Sequence, residues 1–280
     1  MAFLDYRDRA SVLVWVVLMG LAAQRLLTLP TQAFTASVLG SPITLTVTTN
    51  TILGMVLAGL VATGAEAVVR THPLSTNVAE AESGDDRLGH HWMFWTLPIA
   101  LIVVALLLLP IAPSGLYWLV GLVLTGVALG SSMAGIYYTI DPFAVGYRRA
   151  RLGMNALAYG IALVLFLVVY RTRVRSIVSA TEVTLLSTLL ALELLRGSQR
   201  PLLLVGLYAG ITGLVLGEAT WALNYWRLDS LTGGLGLLLL YYDMVGLAQN
   251  ALQGRMNRRV LLEFGLISVS ALALMWKFAP

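Results

Sequence analysis

Residues 201–230 read PLLLVGLYAGITGLVLGEATWALNYWRLDS, and from Pro201 to Leu223 the only charged side chain is Glu218. The length and polarity are those of a helix crossing a bilayer, which takes roughly 20 apolar residues. Gly206, Gly210, Gly213, Gly217, Thr220 and Asn224 recur at three- and four-residue steps and form one stripe of small side chains. Such a stripe lets helix backbones approach closely in lipid. Trp221, Tyr225 and Trp226, followed by Arg227 and Asp229, mark the water boundary, where amphipathic aromatic rings and charges anchor a span.

The rest of the chain repeats this pattern. Apolar runs of spanning length fall at about 11–29, 43–69, 92–111, 115–138, 152–170, 176–195, 201–223, 231–250 and 260–279. Of the 280 residues, 58% are hydrophobic and only 11% charged, against about 25% charged in a soluble domain. The expected fold is an all-α, polytopic transmembrane helical bundle of about nine spans, or eight if one element lies in the interface. It forms a single integral-membrane domain over 1–280, with one long polar connection at 71–91, THPLSTNVAEAESGDDRLGHH. Pro73, Gly84 and the Ser/Asn content make that connection a loop. Its Glu80, Glu82, Asp85, Asp86, His90 and His91 read as a solvated loop, since adjacent histidines rarely aim at one metal.

Seventeen of the 18 cationic residues are arginines, most of them in short connections. An N-in, C-out topology puts twelve inside: Arg7, Arg9, Arg70, Arg87, Arg148, Arg149, Arg151, Arg196, Arg200, Arg255, Arg258 and Arg259. Arg171, Arg173, Arg175, Arg227 and Lys277 then lie outside, with Arg25 near that face. Basic residues favour the cytoplasmic side, so this orientation is expected, although the 171–175 segment RTRVR runs against it. The first apolar run reads as an uncleaved span, and the expected location is the cell membrane. The +4 charge reflects topology; no arginine run interleaved with aromatics offers a groove for nucleic acid.

Ionisable residues inside a bilayer cost roughly 2.5–3.5 kcal/mol each on insertion scales. Glu66 has Arg70 four residues on, Glu193 has Arg196 three on, and Glu263 follows Arg259 by four. Those spacings face each other on a helix, so three interfacial ion pairs are expected. Glu182, Glu218 and Asp243 have no such neighbour and fall in three consecutive spans. In the N-in topology Glu182 and Glu218 lie at similar depth near the outer face. Arg25 is a plausible counter-ion, and Asn50, in the Thr-rich TLTVTTNT start of the second span, adds a polar group. Glu182, Glu218, Asp243, Arg25 and Asn50 are therefore the candidate substrate or ion path, and Trp221, Asn224, Tyr225, Arg227 and Asp229 the candidate outer-face pocket. Further small-residue stripes (Gly126, Gly130 and Ala134; Thr181, Thr184, Ser187, Thr188 and Ala191; Thr232, Gly236, Asp243, Gly246 and Asn250) predict that the fourth, sixth, seventh and eighth spans pack together.

With no cysteine in the chain, disulfides, thiolate-held clusters and a cysteine nucleophile are excluded. All three histidines lie in the 71–91 loop, so no span supplies a histidine ligand for haem, and Lys277 is the only lysine. DxxD, HExxH and a Gly-x-Ser turn with an intramembrane histidine are absent. No metal or cofactor is expected. The leading expectation is a small-solute or ion transporter with intramembrane carboxylates. Next come a non-catalytic accessory or assembly subunit of a larger membrane complex, and an enzyme acting on a lipid-linked substrate at the outer face. In that last reading Glu218 or Asp229 is the base and Arg171, Arg173 and Arg175 hold a phosphate. Expected partners are membrane lipid and either other membrane subunits or a second copy, with no nucleic acid.

Overall fold

The apolar runs are helices. The computed structural model describes residues 2–27, 32–38, 41–73, 91–172, 176–198, 200–225 and 229–278. Among them lie nine α-helices: α1 Ala2–Ala23, α2 Thr49–Arg70, α3 Thr96–Leu108, α4 Gly115–Thr139, α5 Tyr147–Thr172, α6 Ser176–Arg196, α7 Leu202–Asn224, α8 Ser230–Leu252 and α9 Arg258–Phe278. Short 3-10 turns at His91–Trp95 and Leu109–Ile111 flank α3. Seven segments are long and apolar enough to cross a membrane: Thr49–Arg70, Trp92–Ile111, Gly115–Thr139, Tyr147–Arg171, Val178–Arg196, Leu202–Asn224 and Ser230–Leu252. Their outward faces are greasy, with Met55 71%, Leu116 69%, Val127 65%, Leu203 88% and Leu207 57% exposed. A soluble surface does not carry apolar area of that extent, whereas a lipid-facing one requires it.

Two boundaries differ from expectation. Residues 43–47, expected to open the second span, belong instead to a two-stranded antiparallel hairpin, β1 Gln32–Val38 with β2 Ser41–Val47, in register Phe34↔Leu45 and Thr35↔Thr44. Thr44 and Thr46 alternate with Ile43, Leu45 and Val47 through β2, and this mostly β-branched pattern suits a pleated strand better than a helix. α2 begins only at Thr49, where a capping box closes its first turn: Thr51 N donates to Thr48 Oγ1 at 3.4 Å and Thr48 N to Thr51 Oγ1 at 3.4 Å. The first span was expected to reach residue 29, but α1 stops at Ala23 and the chain turns over Gln24–Leu26. There Gln24 Nε2 donates to Asn50 Oδ1 at 2.9 Å, tying the end of α1 to the start of α2.

The chain forms two compact units, Met1–Arg151 and Leu152–Pro280. In the first, α1 runs antiparallel to both α2 and α4, and leucines fill the space that glycines leave. Leu13 lies over Gly64, Leu57 over Gly20 and Leu18 over Gly126. The small stripe of the fourth span, Gly126, Gly130 and Ala134, thus faces α1 of this unit. Leucine knobs on α1 complement it, and the glycines of α7 already have threonines opposite them.

In the second unit the closest packing is between α6 and α7. A Cβ at Gly213 would stand 2.5 Å from the Thr184 carbonyl oxygen, and one at Gly217 would stand 3.0 Å from that of Ala180; the hydroxyls of Thr188 and Thr184 come closer still. Those threonines turn their hydroxyls back onto their own helix, Thr184 donating to Ala180 O at 2.8 Å and Thr188 to Thr184 O at 2.7 Å. At the C-terminal end of α7, Asn224 Nδ2 donates to Ser179 Oγ at 3.1 Å and Tyr170 Oη to Leu223 O at 3.0 Å. Helix α8 seats Gly233 against the Tyr170 ring and Gly246 against the Phe264 ring.

Only half of the glycine stripe on α7 makes contact: nothing lies within 4 Å of a Cβ at Gly206 or Gly210. Gly213→Ala and Gly217→Ala should therefore each cost about 1–3 kcal/mol by overpacking. Gly206→Ala and Gly210→Ala should be neutral or gain up to about 1 kcal/mol of helix propensity. Thermal melting of the four detergent-solubilised variants checks this, and identical melting temperatures would contradict the packing.

Candidate functional site in the C-terminal helices

The contacts of Gly217 with Ala180 and Thr184 bring Glu182 and Glu218 to one level of the second unit. Their exposures differ: Glu182 is half-buried on α6, while Glu218 lies on the exposed face of α7 with Leu207, Ile211, Leu214 and Trp221. Among the described residues neither makes an ion pair. Of the other outer-face candidates, Trp221 and Tyr225 are exposed and Asn224 is held by Ser179. Asp229 caps α8, its Oδ2 accepting from Leu231 N at 3.3 Å, which is a structural occupation for that carboxylate. Arg173, Arg175 and Arg227, and the acidic and histidine-bearing stretch 74–90, lie outside the described residues.

Asp243 points elsewhere. Its Oδ2 meets Ser268 Oγ of α9 at 2.5 Å, and the same hydroxyl donates to Phe264 O at 2.8 Å. A serine hydroxyl has one proton and two lone pairs, so it cannot donate to both oxygens. Asp243 Oδ1 is buried and has no hydrogen-bond partner among the described residues. The buried atoms of this unit that share that condition include Asn155 Oδ1 on α5, Ser187 Oγ on α6 and Tyr241 Oη on α8. Gln249 Nε2 donates to Leu194 O at 3.3 Å, and since α6 and α8 run parallel, that bond puts Ser187 at the level of Tyr241 and Tyr242. Tyr159 stacks edge-on to Tyr241, with centroids 5.8 Å apart. The middle of the second unit thus holds, at one level, hydroxyl and carboxyl groups with unused hydrogen-bonding capacity, those of Ser187, Tyr241 and Asp243. Native interiors rarely leave such groups unpartnered, and in membrane helices they line ion or substrate paths.

Ser268 was not singled out in the sequence. Counting equally far from either side of the 253–257 turn pairs Asp243 with Ile267, the neighbour of Ser268, so the antiparallel α8–α9 hairpin was the signal that could have found it. The three ion pairs expected along single helices do form: Arg70 Nε–Glu66 Oε1 at 2.9 Å, Arg196 Nη2–Glu193 Oε1 at 2.9 Å and Arg259 Nε–Glu263 Oε1 at 3.3 Å. Arg25 and Asn50 belong to the first unit. The Arg25 guanidinium stands 4.6 Å over the centroid of the Trp118 ring, a cation–π contact, and Asn50 accepts from Gln24.

The family described as "Protein of unknown function (DUF5656)" matches residues 29–277. No curated protein and no solved structure matches the chain.

One end of the first unit gathers an aromatic cluster that sequence reading missed. Tyr6 stacks on Tyr137 with centroids 4.2 Å apart, and His72 meets the edge of Tyr137 at 5.0 Å. Burial holds the His72 imidazole below its usual value, opposed by the Asp141 carboxylate. The unfolded chain takes up this proton near pH 6.5 and the folded one only at lower pH. The stability contributed by neutral His72 is thus complete above about pH 6.5 and is lost as the pH falls below it. The melting temperature should drop between about pH 7.5 and about pH 5.5, and the drop should be smaller in His72→Gln. Equal pH profiles for the two proteins would exclude His72 as the source.

Proposed function

The chain belongs to the family just described, and we propose that it is a small-cation or proton-coupled permease of the cell membrane with Asp243 as the cation-accepting group. The observation that supports this reading is the hydrogen-bond accounting at Asp243: Oδ1 is buried without a partner among the described residues, and Oδ2 shares the single proton of Ser268 with Phe264 O. A proton or a small cation completes that set. Glu182, half-buried and without an ion pair among the described residues, is the next acid toward the end that the arginine distribution places outside. The test uses the full chain in sealed vesicles on a solid support, with currents recorded after jumps in pH, Na⁺ or K⁺. Wild type should give a current with one of them, and Asp243→Asn should reduce it to background with an unchanged melting temperature. An undiminished current in Asp243→Asn removes the proposal.

One observation favours a second reading, that of an accessory subunit. Glu218 sits in an exposed apolar stripe with Leu207, Ile211, Leu214 and Trp221. A carboxylate on such a surface costs roughly 2.5–3.5 kcal/mol in lipid unless a partner covers it with a cation. Extraction of the protein from its membrane in native nanodiscs, followed by a mass measurement, separates the readings. A lone chain or homodimer supports the permease. A discrete complex with another polypeptide, lost in Glu218→Gln, supports the subunit.

A further inference from the structure

Between α1 and α4 of the first unit runs an open groove of about 310 Å³, within the size range of ligand pockets. Its floor is apolar and small, made by Ala10, Val14, Gly130 and Ala134. Gly130 keeps it open, since a Cβ there would reach Val14 only at 3.9 Å. Exposed Trp15 flanks one end, and Arg7 with exposed Ser11 flanks the other. The nine-residue advance from Tyr6 to Trp15 spans about 14 Å of helix, close to the hydrocarbon depth of one leaflet, about 15 Å.

Arg7 lies close to the Tyr6 hydroxyl, and among the described residues it forms no ion pair with a carboxylate. Arg148 and Arg149, both exposed at the start of α5, follow α4 at the same end of the unit. The arginine distribution assigns that end to the cytoplasmic leaflet, where anionic lipids collect.

We propose that this groove binds one anionic phospholipid, its phosphate on Arg7 and Ser11 and one acyl chain laid along Ala10, Val14, Gly130 and Ala134 toward Trp15. A small soluble anion would use Arg7 but leave the apolar floor uncovered. A zwitterionic headgroup would bring its own cation to an arginine-rich rim. The site is independent of Asp243 and of the permease reading.

The experiment is native mass spectrometry of the delipidated full chain in detergent, titrated with phosphatidylglycerol, phosphatidylcholine or inorganic phosphate. One phosphatidylglycerol per chain should bind more tightly than phosphatidylcholine, and phosphate should not displace it. Arg7→Gln should weaken it about fivefold, the worth of one basic residue at an anionic surface. Ala134→Phe should remove it with Arg7 still present, and Arg259→Gln, on α9, should leave it unchanged. Should Ala134→Phe lower the melting temperature, Gly130→Val fills the groove in its place. Wild-type affinity in Arg7→Gln or in the filled-groove variant, equal binding of phosphatidylcholine, or displacement by phosphate would each overturn the proposal.

Discussion

The second unit depends on the contact of Gly213 and Gly217 with Thr184 and Thr188. In lipid there is no hydrophobic drive to bring helices together, so association rests on close packing and on polar contacts. Two glycines remove the side chains that would hold α7 away, and two threonines occupy the space. Each threonine hydroxyl bonds the carbonyl four residues back, which leaves neither of these two donors unsatisfied. With that contact made, the level of every other group on α6 and α7 follows: Asn224 reaches Ser179, and Glu182 stands level with Glu218.

The first unit reaches the same end by different means. Three of its glycines, Gly64, Gly20 and Gly126, lie on three helices and receive Leu13, Leu57 and Leu18 from neighbours. Apolar knobs suffice because α1 is embraced by α2 and α4 and has few polar groups to satisfy along its buried side. Polar chemistry is kept to the ends, with Gln24 and Asn50 at one and the Tyr6, His72 and Tyr137 cluster at the other. The second unit, in contrast, carries carboxyl, amide and hydroxyl groups into its middle.

Much of this was legible in the sequence, and what was not has physical causes. Apolar runs mark helices because a membrane span must be long and uninterrupted, and an acid with an arginine three or four residues away forms its pair within one helix. Glu66, Glu193 and Glu263 were therefore readable. The hairpin at Gln32–Val47 was not, because hydrophobicity alone does not separate a Thr/Val-rich strand from the opening of a helix. Spacing likewise showed that the glycines of α7 share a stripe, but not that α6 covers only Gly213 and Gly217. Asp243 was recognisable as an acid without a neighbour, and its bond to Ser268 was not, because that contact closes across the turn between two helices. The Tyr6 cluster was hidden for the same reason: its members come from three separate segments.

The contrast among the acids carries the functional argument. Where this chain uses a carboxylate for structure, it sets an arginine beside it on the same helix or makes it a helix cap, as at Asp229. Asp243 has Leu239, Leu240, Gly246 and Leu247 at those positions and only a hydroxyl already engaged with Phe264. An asparagine there would meet Ser268 with an amide, carry no charge and avoid the desolvation that a carboxylate incurs in a low-dielectric interior. What a carboxyl adds over an amide is acid–base chemistry and affinity for cations. A buried Oδ1 with no partner among the described residues, set against a hydroxyl already engaged with Phe264, is where that difference has chemical value.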